Sequence, residues 1–282
     1  MTAFRLAALL AAAIAVAGCI QMEQATTLLP DGSGKVVITF GMKKSTLDMI
    51  RGFAKQFGGE EGPDPLKQFT DPKELEKNSE GVVAWAKPET SSEGDWERVK
   101  LVAYFEEAAK VKIYSTGNNP QGGGERQLQL ALDYTPKDGG GGTLIVTIGS
   151  QQQAPGGGDP QQQDVPEEMR KGMIEMMKPM IAGLKIGVSV TVPGAIDEAT
   201  GFTSKSDRTA TFSLSADDAI AAMDPDSDIA KKFKELREQT ERDKGAKITW
   251  SGSSVTDEDK AAFKKELEAA KEAWKKLLEE QK

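Results

Sequence analysis

The residues able to do chemistry are few. The 282-residue chain has no His and a single Cys, Cys19, which excludes Ser-His-Asp triads, imidazole acid–base catalysis and His-ligated metals. Asp224-Pro225-Asp226-Ser227-Asp228 with Glu235 supplies the first, third, fifth and twelfth positions of a calcium loop, where a cation that takes six to eight hard oxygens needs carboxylates. The sixth position is Ile229, however, where such a loop requires Gly for its sharp turn. Asp and Pro here are therefore read as a helix cap. The Gly-rich runs are followed by no Lys-Ser/Thr and open no helix, so they do not read as phosphate loops, and no S-x-x-K or G-x-S-x-G pattern occurs. With the usual bases missing and no acid–base pair singled out among scattered carboxylates and lysines, the expectation is a non-enzymatic protein without metal or cofactor.

What Cys19 does is set by the residues before it. Arg5 supplies a positive start, and Leu6 to Ala17 are twelve uncharged, mostly Leu/Ala/Ile/Val residues, the layout of a signal peptide over residues 1–18. As a helix the run reaches about 18 Å against a hydrocarbon core of about 30 Å, too short to span. Val16-Ala17-Gly18-Cys19 resembles the bacterial lipobox, in which the thiol is alkylated with diacylglycerol and the chain is cut just before it. The resemblance implies an acylated Cys19, carrying chains such as palmitate, and a membrane anchor. The alternative, an ordinary signal peptide with an incidental Cys, leaves an unpaired exposed thiol. Ile20 stands where an Asp would, by the same resemblance, retain the protein in an inner membrane, so outer-membrane residence is implied in a two-membraned bacterium. Without residues 1–18 the chain has 35 basic and 44 acidic residues, about −9, which argues against nucleic acid as a partner.

The elements that follow are expected to build an α+β domain over residues 26–252, after a lipidated tether at 19–25. Glu23 to Leu29 alternates weakly, Pro30-Asp31-Gly32-Ser33-Gly34 is a turn signal, and Lys35 to Met42 is a β-branched run, together a hairpin. Ser45 to Phe57 carries Leu47, Ile50, Phe53, Ala54 and Phe57 at helical spacing, ended by Gly58-Gly59. A short helix after Asp71-Pro72 leads to a second hairpin of Gly81 to Ala86 and Trp96 to Phe105, joined by a polar turn at Glu89 to Asp95. Lys110 to Tyr114, Arg126 to Tyr134 and Thr143 to Ile148 continue an antiparallel sheet. Between residues 117 and 158 lie 12 of the 29 glycines, which with the Gln runs up to residue 165 read as flexible surface insertions.

Glu167 to Leu184 is a helix with Met169, Met173, Met176, Met180 and Leu184 on one stripe. Core packing is the first reading of that stripe; a lining for a lipid or other hydrophobic ligand is the second, since thioethers adapt to irregular apolar shapes. Strands at Lys185 to Val192, Thr209 to Leu214 and Lys247 to Trp250, and helices from Asp217 and Asp228, complete the domain. In residues 253–282, Thr256 with Asp259 caps a final helix on which Phe263, Leu267, Ala270, Trp274 and Leu277 step by four and three. That seam serves either docking across the chain's own sheet or a partner. Its polar face balances 8 acidic residues with 7 Lys from Asp257 onward and does not read as a membrane-surface helix.

Leu29-Pro30-Asp31-Gly32-Ser33-Gly34-Lys35, Ile186-Gly187-Val188-Ser189-Val190-Thr191-Val192-Pro193-Gly194-Ala195-Ile196, Ala199-Thr200-Gly201 and Thr209 to Leu214 resemble the signature of the LppM-type lipoprotein domain. The Gly/Gln-rich middle departs from that family. The resemblance implies an α+β domain similar to lipid-binding ones, and it carries no catalytic residue. The expected role is non-catalytic binding of an envelope component, lipid or protein, from a membrane held through the lipid anchor. The alternatives are a carrier with an internal apolar cavity and an uncharacterised enzyme.

Overall fold

The computed structural model describes residues 20–58, 66–116, 126–149, 172, 174, 175, 178 and 181–281. In chain order it has β1 (Ile20–Leu28), β2 (Gly34–Lys43), α1 (Lys44–Gly58), α2 (Lys67–Thr70), α3 (Pro72–Lys77), β3 (Ser79–Glu80), β4 (Ala84–Trp85), β5 (Glu89–Glu93) and β6 (Trp96–Phe105). There follow β7 (Lys112–Thr116), β8 (Arg126–Pro136), β9 (Gly142–Ile148), β10 (Lys185–Thr191), β11 (Ala195–Thr200), β12 (Ser204–Lys205) and β13 (Thr209–Ser215). The chain closes with α4 (Ala216–Ala222), α5 (Asp228–Asp243), β14 (Ala246–Ser251) and α6 (Asp257–Glu279).

The α+β reading holds, with the strands divided between two sheets. One runs β12-β13-β10-β1-β2-β6-β4 with β5 also on β6; the other runs β11-β14-β9-β8-β7-β3. The pairing is mostly antiparallel, and the departure is β1 on β10, which are parallel with Gln24 beside Val188 and Thr26 beside Val190. β1 is thus paired on both flanks, by β2 and by β10. Residues 20–25, expected as a tether, are strand from Ile20 onward because both neighbours take up their backbone groups.

The opening hairpin turns where expected: the Asp31 carboxylate accepts from Ser33 N at 3.0 Å and from Ser33 Oγ at 2.6 Å, and Gly32 takes φ 83°. The second hairpin differs from expectation. Glu89–Glu93, read as a turn, is strand β5, and the reversal is made by Gly94 at φ 55° and Asp95. Every residue of β5 is exposed, so its polarity mimics a loop. The supposed calcium loop is a cap: Ser227 Oγ accepts from Ala230 N at 3.0 Å and starts α5.

Buried residues from both sheets form one core, with Val36, Val99, Phe105, Leu144, Ile248 and Trp250 almost fully enclosed. Two glycines are demanded by it. Gly142, expected in a flexible surface run, is buried at the start of β9, and a methyl there would strike the Trp250 ring. At Pro193-Gly194 the chain passes from the first sheet to the second, and a methyl on Gly194 would collide with the Gly252 carbonyl oxygen. Among the described residues no helix is long and apolar enough to cross a membrane.

Candidate functional site

The concavity of interest is made where α6 lies along α3 and β4. α3 is short and tightly specified: Asp71 caps it by accepting from Lys73 N at 2.9 Å, and Pro72 occupies its first turn. Beyond its end, Ser79 Oγ donates to the Leu75 carbonyl at 2.8 Å and accepts from Trp85 Nε1 at 3.3 Å. That bond satisfies the indole N–H of a residue only 2% exposed. Backbone bonds from Val83 N to Tyr104 O and from Ala86 N to Val102 O, both 2.9 Å, hold the β4 segment to β6.

α6 begins with a capping box, Thr256 Oγ1 accepting from Asp259 N at 3.1 Å and the Asp259 carboxylate accepting from Thr256 N at 3.0 Å. Polar clamps then fix its lateral position. Glu266 receives Lys35 Nζ at 2.7 Å and Tyr104 Oη at 2.8 Å; Lys271 Nζ donates to Glu106 at 2.6 Å; Lys73 Nζ donates to the Gln281 carbonyl at 2.8 Å. Burial opposes the Glu266 charge, but the bonds from Lys35 and Tyr104 outweigh it and hold the carboxyl below its ordinary pKa. Tyr104 is pushed up to about 12, first by burial and then by the same Glu266. The Glu106 and Glu268 carboxylates raise Lys271.

The groove enclosed by these elements has a volume of about 340 Å³. Trp85 and Trp274 line it with Val82, Val83 and Leu278, and Lys271, Lys275 and Glu76 supply charge. Val82, Val83 and Leu278 beside the edges of two largely buried indoles, with Lys275 on the helical side, suit an amphiphile with an apolar body and an acidic head, while Lys271 is already held by Glu106 and Glu268. Among the described residues no group of three or more Cys, His, Asp or Glu is placed to hold a metal.

The seam residues of α6 all turn toward the chain's own sheet. Leu267, Ala270 and Trp274 are buried in the core, and Phe263 and Leu277 pack against it, Phe263 tilted on Tyr104 at 6.4 Å between ring centres. Cys19, Val16, Ala17 and Gly18 lie outside the described residues, as do Met169, Met173, Met176 and Met180. Leu184, the last of that stripe, is half-buried, its N–H bonded to the Ile181 carbonyl at 2.9 Å. Sequence reasoning found Trp274 but missed Trp85, Val82 and Val83 as its opposite wall. Trp85 fell unnamed within the strand candidate Gly81 to Ala86, and no spacing rule links residues so far apart.

No protein-family model and no curated protein matches the chain. Among solved structures, the NMR structure of the folded domain of the Mycobacterium tuberculosis LppM protein is similar at a TM-score of 0.28 and 11% identity. The match covers 71% of this chain and 84% of that one.

Proposed function

We propose that this chain is an extracytoplasmic lipoprotein, anchored to the outer membrane of a two-membraned bacterium by diacylglycerol on Cys19, that binds an acidic envelope amphiphile without catalysis. The observation that carries the reading is the position of the chain's single thiol, directly after an apolar leader of twelve residues and the small pair Ala17-Gly18. Each buried methylene of the acyl chains contributes about 0.8 kcal/mol, so two or more chains give a stable hold. The groove at Trp85 and Trp274 supports the binding half of the proposal, with Lys275 for an acidic head and Val82, Val83, Leu278 and the indole edges for an apolar body.

Intact-mass measurement on protein extracted from membranes tests the anchor. The expected product begins at Cys19 and carries acyl groups; a mature chain that begins elsewhere, or one without acyl groups, overturns it. Titration with a short-chain phosphatidylglycerol, followed by tryptophan emission, tests the groove. Parent protein is expected to respond saturably and a Lys275→Glu variant to bind more weakly; identical binding by the two overturns the assignment of the site.

A further inference from the structure

The rim of the first sheet where the chain enters the fold carries a second feature. Ile20 opens β1 and pairs with Met42; the next residue of β2, Lys43, pairs with Trp96 at the start of β6. Lys43 Nζ stands 5.8 Å from the centre of the Trp96 ring. On the other flank Leu184 immediately precedes β10, whose Lys185 pairs with Gln21. Trp96 is part-exposed, whereas Trp85, Trp250 and Trp274 are 2%, 1% and 8% exposed. The neighbouring cations are engaged: Lys44 with Glu97 and the Gly94 carbonyl, Lys185 with Glu23, Arg98 with Glu93. Among the described residues, Lys43 has the indole face and no carboxylate.

We propose that this rim, Trp96 and Lys43 with Ile20 and Leu184 beside them, rests in the headgroup layer of the anchoring membrane. The inference depends on acylation of Cys19. Consecutive Cα atoms are about 3.8 Å apart, so an acylated Cys19 leaves Ile20 about one residue from the lipid. Strands spaced about 4.8 Å apart then put Trp96, two strands from β1, about 10 Å away along the rim. With β1 beginning at Ile20 there is no length of tether in which the domain could stand off. An indole, apolar in body and with one N–H, partitions to the interface, and an ammonium at the end of a four-carbon stem reaches lipid phosphate. The body's charge of about −9 gives no general attraction to anionic lipid, so the contact is imposed by the short tie and favoured locally by these side chains.

The test uses full-length protein, extracted in detergent, checked for acyl mass and reconstituted into vesicles whose phosphatidylcholine is brominated near the headgroup and whose phosphatidylglycerol is not, so that phosphatidylglycerol held in the groove quenches nothing. Parent emission is expected to be quenched and blue-shifted relative to detergent, and Trp96→Phe to lose most of that quenching, because Trp250 is buried and the groove that Trp85 and Trp274 line takes the unbrominated lipid. Acylated parent protein whose emission is the same in brominated and unbrominated vesicles overturns the rim contact while the anchor stands. A mature chain without acyl mass removes the anchor, and the rim contact with it.

Discussion

Strand β6 is edged by two short strands, β4 and β5, that reach opposite ends of the burial scale. Ala84 and Trp85 of β4 are enclosed beneath α6, while all five residues of β5 face solvent. β4 is held by packing: its indole joins the core and a helix covers it. β5 is held by its ladder to β6 and guarded by charge, with Glu89 paired to Lys100 at 3.2 Å and Glu93 to Arg98. A sheet edge can be managed by a cover or by ionic residues that discourage further strand pairing, and this protein does both on one strand. The covered half is where a groove can form; the charged half leads to the Lys43–Trp96 rim.

The strongest way to break this contrast is truncation. Trp85→Ala removes a fully enclosed indole and is expected to cost about 3–5 kcal/mol in urea unfolding, whereas Ser91→Ala on β5 is expected to change stability by less than about 0.5 kcal/mol. Equal losses would mean that β5 is part of the core. A gain is expected one row further in. The register aligns Trp85, Ala103, Val36 and Thr26 on one face, and Thr26 Oγ1 is buried with no hydrogen-bond partner among the described residues. Thr26→Val keeps the shape and removes that orphan, so it is expected to stabilise by about 1 kcal/mol by the same assay; a loss would show that the hydroxyl has a partner in solution.

That row also explains what could be read from the sequence. The strands of the late chain were legible because Val188, Val190 and Val192 alternate cleanly with small polar residues. β1 alternated weakly because two of its inward positions are Gln24 and Thr26, so hydrophobic period could not report that it is central. β5 was invisible because all five of its residues are polar and exposed, and a polar strand with both faces wet has no apolar period. The α6 seam was legible as a seam, since 4-3-4-3 spacing specifies one face. Its destination was not, because helical spacing says nothing about which surface waits opposite. The groove needed Trp85 and Trp274 brought together by topology alone.

The clamp holding α6 over the covered half is expected to show a smaller effect, and one with a pH signature. The folded-state pKa of Glu266 lies below its ordinary 4.5, so its contribution is present above pH 4.5 and is lost as the pH falls through the folded-state value. The melting-temperature advantage of parent over Glu266→Gln should therefore exist at neutral pH and close on acidification below pH 4.5; with the side chain 41% exposed, solvent screening keeps it modest. In the same variant, alkaline absorbance titration should find Tyr104 ionising below its parent value of about 12, though still raised, because burial is the larger cause. An advantage that persists unchanged at low pH would assign the clamp to packing.

The smallest effect belongs to the uncovered half. Glu89 and Lys100 are 70% and 46% exposed, so their pair works in high dielectric and must order two long side chains. A double-mutant cycle through Glu89→Ala and Lys100→Ala is expected to give a coupling of a few tenths of a kcal/mol at low salt. In about 1 M salt, where the screening length falls to about 3 Å, that coupling should vanish. The ion pair would then act as an edge guard whose value lies in the strand pairing it discourages. A coupling above about 1 kcal/mol, unaffected by salt, would instead require the pair to be shielded from water and would bring β5 closer to β4 in kind.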